Sequence, residues 1–181
     1  FKSEKNGMLF KRENILNDYS SFIYSNIKIN KKIKVAMDCG NAAAGLIAPE
    51  IFQKMGIELF ELYCDVDPDF PNHHPDPTVD TNLDDIVNVI KRGNYDLGIA
   101  YDGDADRLVA IDELGNIIRP DILMAVFIPS IIKEGESVVY DVKCSRSLDE
   151  TILKYAARPV MYKTGHSLIK NKMIELKSKF G

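Results

Sequence analysis

Apolar residues at Phe10, Ile15, Leu16, Tyr19, Phe22 and Ile23 recur at helical spacing, which predicts an amphipathic helix over residues 10–27. After Lys31-Lys32 the period changes. Residues 33–38 (Ile-Lys-Val-Ala-Met-Asp) read as a strand, and the small residues at 39–45 form a turn that opens a helix running to about residue 55. A second strand is predicted at 57–63, a loop rich in Pro and Asp at 65–78, and a helix at 83–92. Two further strands, 95–101 and 108–111, flank a short polar loop, and a turn follows at 112–116. The strand at 108–111 arrives after so short a loop that it should run antiparallel to its neighbour. Pro120 and Asp121 mark a helix start. Beyond them the pattern predicts a helix at 122–133, a strand at 137–142, a helix at 147–155, a strand at 159–162 and a helix at 167–179.

Strands alternating with helices argue for an α/β fold. The expected architecture is a three-layer α/β/α domain with a mixed four-stranded sheet over residues 1–118, residues 1–29 being a lead-in helix. A truncated second domain of the same type, with two strands, is expected over 119–181. Two strands are too few for a sheet that is stable alone.

Composition narrows the function classes. The 181 residues are 45% hydrophobic and 28% charged, ordinary for a globular chain, and the formal net charge of -4 gives no bulk attraction to nucleic acid. The longest apolar run, 122–132, is too short to span a membrane and is interrupted by Pro129. Cys39, Cys64 and Cys144 fit neither a disulfide framework nor a zinc motif, and each is read as a small buried residue. Free thiols fit a reducing, cytoplasmic setting. No signal peptide is visible, and the chain opens on Phe1 rather than Met, so its natural N-terminus is expected to lie elsewhere.

The sharpest chemistry lies in Asp102-Gly103-Asp104-Ala105-Asp106-Arg107, between the strands at 95–101 and 108–111. Three carboxylates at this spacing converge only where the backbone curls into a tight loop, for which Gly103 and Ala105 leave room. Crowded carboxylates raise one another's pKa, and a hard divalent cation with oxygen ligands removes that cost. The loop reads as a metal site with Arg107 as a fixed positive group beside it, a pairing suited to a phosphoryl group. Its place at the carboxyl end of a strand is where open α/β sheets hold ligands. An EF-hand loop is the competing reading: Asp102, Asp104 and Asp106 fall at its positions 1, 3 and 5 and Glu113 at position 12, but position 6 is Arg107 where Gly is needed, and strands replace the helices. A solvated acidic turn is the bland reading.

Other segments carry weaker signals. The turn 39–45 could present backbone N–H groups to a phosphate, but it has neither GxGxxG nor a P-loop lysine, so tight strand-to-helix packing is the preferred reading. His73-His74 lie among Pro71, Pro75 and Pro77, and adjacent side chains in a stiff extended loop do not converge readily on one ion, so a structural or phosphate-adjacent role is expected. Lys143 and Arg146, at a strand end and a helix start, and His166 within Thr164-Gly165-His166-Ser167 put basic groups where a phosphosugar would bind.

Four of these segments, in order, resemble the α-D-phosphohexomutase family, the bacterial phosphomannomutases/phosphoglucomutases above all. They are Phe70-Pro71-Asn72-His73-His74-Pro75-Asp76-Pro77, the loop Asp102 to Arg107, Asp141-Val142-Lys143-Cys144-Ser145-Arg146, and Lys163-Thr164-Gly165-His166-Ser167-Leu168-Ile169-Lys170. The resemblance covers nearly everything from about residue 30. It implies four domains, the first three on related α/β folds. It also implies a phosphoserine in the first domain that coordinates Mg²⁺, gives its phosphoryl group to a hexose phosphate, and recovers one from a bisphosphate that reorients in between. By that resemblance Asp102, Asp104 and Asp106 would bind one Mg²⁺, Arg107 would lie near the phosphoserine, and Lys143 and His166 would line the site near the sugar phosphate and support proton transfer, with Arg146 as a further substrate contact. The bisphosphorylated hexose would serve as activator and intermediate. No nucleic acid or membrane partner is implied, and the oligomeric state is open.

The chain departs from the family in lacking a Thr-Ala-Ser-His-Asn-type serine segment, a Gly-Glu-Met-Ser-Gly-His-like sugar loop and the C-terminal phosphate-binding domain. It therefore reads as the second domain and the front of the third, inactive by itself. Two other classes stay open at this point: a metal-dependent phosphatase, although the loop has no threonine two residues after an Asp, and a non-catalytic metal-binding module.

Overall fold

A computed structural model of the chain describes residues 7–181. In chain order the elements are α1 (Ile15–Asn26), β1 (Lys34–Asp38), α2 (Ala48–Lys54), β2 (Glu58–Leu62), α3 (Asp84–Arg92), β3 (Leu97–Tyr101), β4 (Leu108–Ile111), β5 (Ile117–Ile118), α4 (Pro120–Ile131), β6 (Ser137–Asp141), α5 (Arg146–Lys154), β7 (Arg158–Tyr162) and α6 (His166–Leu176). Short 3-10 turns at Ala43–Leu46 and Asp80–Leu83 lead into α2 and α3. The α/β fold class read from the alternating pattern is the one observed.

The first sheet runs in the order β2-β1-β3-β4-β5. β1 pairs in parallel with β2 and β3, with Val35 opposite Leu59 on one side and Leu97 on the other. A strand between two parallel neighbours is covered on both faces, and β1 is buried from Val35 to Asp38. Val35 and Met37 pack with Ile57, Ala48 and Phe52. α3 packs against β1 and β3 through Ile86 and Ile90, one turn apart and both buried. Asp84 and Asp85 in its first turn and Lys91 and Arg92 in its last complement the helix dipole.

The sheet has one strand more than the four expected. Ile117 and Ile118 pair antiparallel with Ile111 and Ala110. Asp112 closes the intervening turn, accepting from the Asn116 N–H (2.7 Å) and side-chain amide (2.8 Å). Two other expectations are corrected. The first helix begins at Ile15, so Phe10 lies outside it, exposed; Arg12 before the start pairs with Asp18 in the first turn. The turn after β1 passes through the 3-10 segment before α2 starts at Ala48.

The second sheet pairs β6 and β7 in parallel, Val139 opposite Val160. Its core joins Ile128 and Ile132 to Val138, Tyr140, Leu148, Ile152 and Ala157. On the free side of β6 the Val139 N–H donates to the Phe180 carbonyl (3.2 Å), a single bridge where a strand would pair. α6 buries no residue, and Ile174 is 75% exposed. The chain divides into two compact units, one running to Leu108 with Glu113–Gly115, the other comprising Val109–Asp112 and Asn116–Gly181. Among the described residues, no helix is long and apolar enough to cross a membrane.

Candidate functional site

β3 ends at Tyr101, and the next residue, Asp102, is the pivot of the carboxylate loop. The Asp102 carbonyl accepts from Ala105 N–H (3.1 Å), the Asp102 N–H donates to the Arg107 carbonyl (3.2 Å), and the Asp102 Oδ1 accepts from Arg107 N–H (3.0 Å). Ala105 takes a φ of 59°, the left-handed region that a side chain enters only at a cost. That residue supplies the curl that alternating carboxylates need. Candidate ligand atoms of Asp102, Asp104 and Asp106 lie within 4.8 Å of one another, the only such cluster of three or more His, Cys, Asp or Glu among the described residues.

Asp102 is 1% exposed, whereas Asp104 and Asp106 face solvent. Burial alone would push the Asp102 carboxyl up, but the Arg107 amide and guanidinium outweigh it and hold the carboxyl below the usual range. The Arg107 Nε donates to Asp102 Oδ2 at 2.6 Å and sits 3.6 Å from Asp106 Oδ1. Three convergent carboxylates, one fixed and two free to adjust, suit a hard cation such as Mg²⁺. Glu113 lies outside the cluster and strands flank the loop, so the geometry is not that of an EF-hand.

The turn 39–45 packs closely against this loop. The Ala43 N–H donates to the Gly103 carbonyl (3.3 Å). A Cβ on Gly45 would fall 2.0 Å from the Cys64 carbonyl oxygen, so only glycine fits there. Cys39 is buried with its sulfur 3.3 Å from that of Cys64; sharing a hydrogen with the neighbouring thiol first, and burial next, push its thiol up, the opposite of an activated nucleophile. His73 and His74 do not share an ion. His73 turns inward to Asp38 (3.0 Å), and the exposed His74 lies edge-on to Phe70.

In the second unit the carboxyl ends of β6 and β7 meet at a cleft of about 540 Å³, lined by Lys143, His166, Thr164, Gly165, Asp121 and Asp141 among others. Lys143 is positioned by its N–H, which donates to Asp141 Oδ1 (2.8 Å), and its Nζ stands 3.6 Å from Asp141 Oδ2. His166 opens α6 after Gly165, whose φ of 133° favours glycine. The Ser167 hydroxyl lies 3.2 Å from His166 Nε2. Lys143 and His166 are thus brought to one cleft. Arg146 is not among the lining residues; its guanidinium pairs with Glu150 one turn along α5 (3.1 Å). Asp121 is a lining residue that the sequence marked only as a helix-start signal. Its Oδ2 accepts from the Ser145 N–H (2.8 Å), joining the start of α4 to that of α5. The cue was its place beside Pro120; that the loop after β6 would reach it depended on packing.

Residues 17–115 match the profile of phosphoglucomutase/phosphomannomutase, alpha/beta/alpha domain II, and residues 119–181 that of domain III. The phosphomannomutase/phosphoglucomutase of Pseudomonas aeruginosa is 47% identical over 163 residues, 89% of this chain and 35% of that protein. A Neisseria meningitidis phosphoglucomutase is 39% identical over 173 residues, 94% of this chain and 37% of that protein. The crystal structure of a phosphoglucomutase/phosphomannomutase family protein from Burkholderia thailandensis matches with a TM-score of 0.82 at 38% identity, covering 91% of this chain and 36% of that one. The chain therefore spans a little over a third of the length of these relatives. Both profiles, continuous with the folded elements, show that the chain belongs to the phosphoglucomutase/phosphomannomutase family.

Proposed function

We propose that the chain is the metal-binding portion, with the front of the following domain, of a Mg²⁺-dependent phosphohexomutase that interconverts hexose 1-phosphate and hexose 6-phosphate. The reaction would proceed through a phosphoserine and a bisphosphorylated hexose that acts as activator and intermediate. The observation that carries this is the convergence of Asp102, Asp104 and Asp106 at the end of β3. Family membership and the names of the relatives support the substrate class.

Asp102, Asp104 and Asp106 would hold the ion, which when bound neutralises charge on a phosphoryl group in transit. Arg107 keeps Asp102 ionised and oriented. Lys143 contributes a positive group to the second unit's cleft, suited to a sugar phosphate, and His166 adds an imidazole that can hold or pass a proton at a sugar hydroxyl. The setting is cytoplasmic, where reducing conditions keep Cys39, Cys64 and Cys144 as free thiols. Its partners are hexose phosphates, with no nucleic acid or membrane among them.

No serine in the 181 residues has a phosphoryl-carrier context, so the chain alone should not turn over mannose 1-phosphate, even with a bisphosphate activator. The test is a chimera with this chain in place of the matching segment of the Pseudomonas aeruginosa relative, assayed for hexose 1-phosphate to 6-phosphate conversion. Conversion abolished by Asp104→Asn is the expected result. Release of inorganic phosphate without conversion would favour a phosphatase, and turnover by the isolated chain would overturn the need for a carrier elsewhere.

A further inference from the structure

We propose that His73 is a positioning residue: bound to Asp38, it seats Pro75 as a wedge that holds the carboxylate loop in place. The inference rests on the reading of residues 102–107 as the metal site.

The imidazole is held at both nitrogens. Nδ1 lies 3.0 Å from the His74 carbonyl oxygen, which can only accept, so Nδ1 carries a hydrogen. Nε2 lies 3.0 Å from Asp38 Oδ2. One hydrogen lies between these two atoms, whichever of them carries it. The other Asp38 oxygen accepts from Gly40 N–H (2.8 Å). Side-chain exposure is 14% for His73 and 1% for Asp38. A buried carboxyl without its partner is costly, so the ring fastens the loop 65–79 to the end of β1. Tyr63 packs edge-on against the ring at 5.4 Å and donates to Asp85 (2.7 Å), closing the remaining side.

Two residues on, Pro75 is buried between the turn after β1 and the carboxylate loop. Its Cβ lies 2.9 Å from where a Cβ on Gly40 would be, and its Cγ 3.5 Å from the same point on Gly103. The turn in turn holds Gly103 through the Ala43 N–H (3.3 Å). The Asn72 amide donates to Asn41 Oδ1 (2.8 Å), a second tie between the same loop and turn. The carboxylate loop, by contrast, has two exposed ligands and a residue in left-handed geometry. Its own hydrogen bonds curl it, but its placement is braced from outside, by a wedge whose position depends on His73.

The test compares the parent chain with His73→Leu, which keeps bulk and loses both hydrogen bonds, and His73→Gln, whose side-chain amide can donate to Asp38 in place of the ring. Hydrogen exchange is read at the amides of Ala43 and Arg107, which donate into the carboxylate loop, and at Ile90 in α3 as a fold control. In His73→Leu the two loop amides should exchange roughly tenfold faster, as expected when about one hydrogen bond of local stability is lost, with Ile90 unchanged. His73→Gln should restore the parent rates. Parent-like rates in His73→Leu overturn the inference, as does a failure of His73→Gln to restore them while Ile90 stays protected. If His73→Leu unfolds, His73→Asn, whose shorter amide does not reach Asp38, takes its place beside His73→Gln: faster loop amides in it support the inference and parent rates overturn it. A Mg²⁺ titration of the same samples separates the two claims: a parent chain whose loop amides do not shift with Mg²⁺ overturns the metal reading, and the exchange rates still decide the role of His73.

Discussion

Asp104 contributes nothing to the loop's internal hydrogen bonds among those described, yet its carboxylate stands with those of Asp102 and Asp106. If the loop binds a cation as proposed, Asp104 serves ligation rather than shape. Mg²⁺ takes about six oxygens in near-octahedral order, so three carboxylates alone should bind it weakly, with water completing the shell. Asp104→Asn should weaken Mg²⁺ binding by about tenfold or more, about 1.4 kcal/mol, in calorimetry on the isolated chain. Equal affinity in both would remove Asp104 from the site.

Asp121 makes the residue-scale case for pH. Burial pushes its carboxyl up, but hydrogen bonds from the Ser145 side chain and amide outweigh that and lower it from 3.8. A lowered folded-state value adds stability that is present in full above the unfolded value and is lost as pH falls through the folded one. Asp121→Ala should therefore cost about 1.5 kcal/mol at neutral pH, with the difference from the parent shrinking below about pH 4. Denaturant melts at pH 7 and pH 3 check this, and a difference that does not change with pH would show that the charge is not what matters.

At the scale of elements, α4 shows a local preference overruled by packing. Pro129 lies inside the helix, exposed, where it removes one backbone donor, yet the helix continues to Ile131. Ile128 beside it is fully buried and Ile132 nearly so, both in the core with Leu148 and Ile152. Burying such side chains is worth roughly 1.5–3 kcal/mol each, comparable with the roughly 3 kcal/mol a proline costs inside a helix. Pro129→Ala should stabilise the second unit by about 1–3 kcal/mol in thermal melts; a loss of stability would mean that the ring itself fills a needed space. α3 is the opposite case, with charge order, apolar spacing and the Gly93 stop all agreeing.

For the whole molecule the two units differ in how well their sheets are covered. β1 is enclosed between β2 and β3 and buried from Val35 to Asp38. β6 has β7 on one edge and, among the described residues, no strand but the Phe180 bridge and the Ser178 hydroxyl on the Ser137 carbonyl on the other, and α6 buries none of its residues. Against a total stability of about 5–15 kcal/mol, several half-covered apolar side chains are a large deficit. Amides after residue 135 should exchange faster than those around Ala100. Equal protection in both regions would show that the exposed face of α6, with Ile174 at 75% exposure, is covered in solution, for instance by a second copy of the chain.

The sequence determined the element order, because periods of 2 and 3.6 are properties of local spacing that packing here reinforced. It also determined the carboxylate loop, because three carboxylates within five residues converge once Ala105 bends to bring them together. Tertiary structure decided what depends on partners far along the chain. The fifth strand is too short to show a period and exists only because Asp112 and Asn116 close a hairpin. His73 and Asp38, 35 positions apart, become a pair only when the proline-rich loop folds over the end of β1. Arg146 and Lys143 both lie near a strand end, and each meets a carboxylate that the fold brings to it, Glu150 one turn along α5 for Arg146 and Asp141 beside the cleft for Lys143. Spacing along a chain specifies which side chains can be near one another locally; only the closed fold specifies which distant charge each one meets.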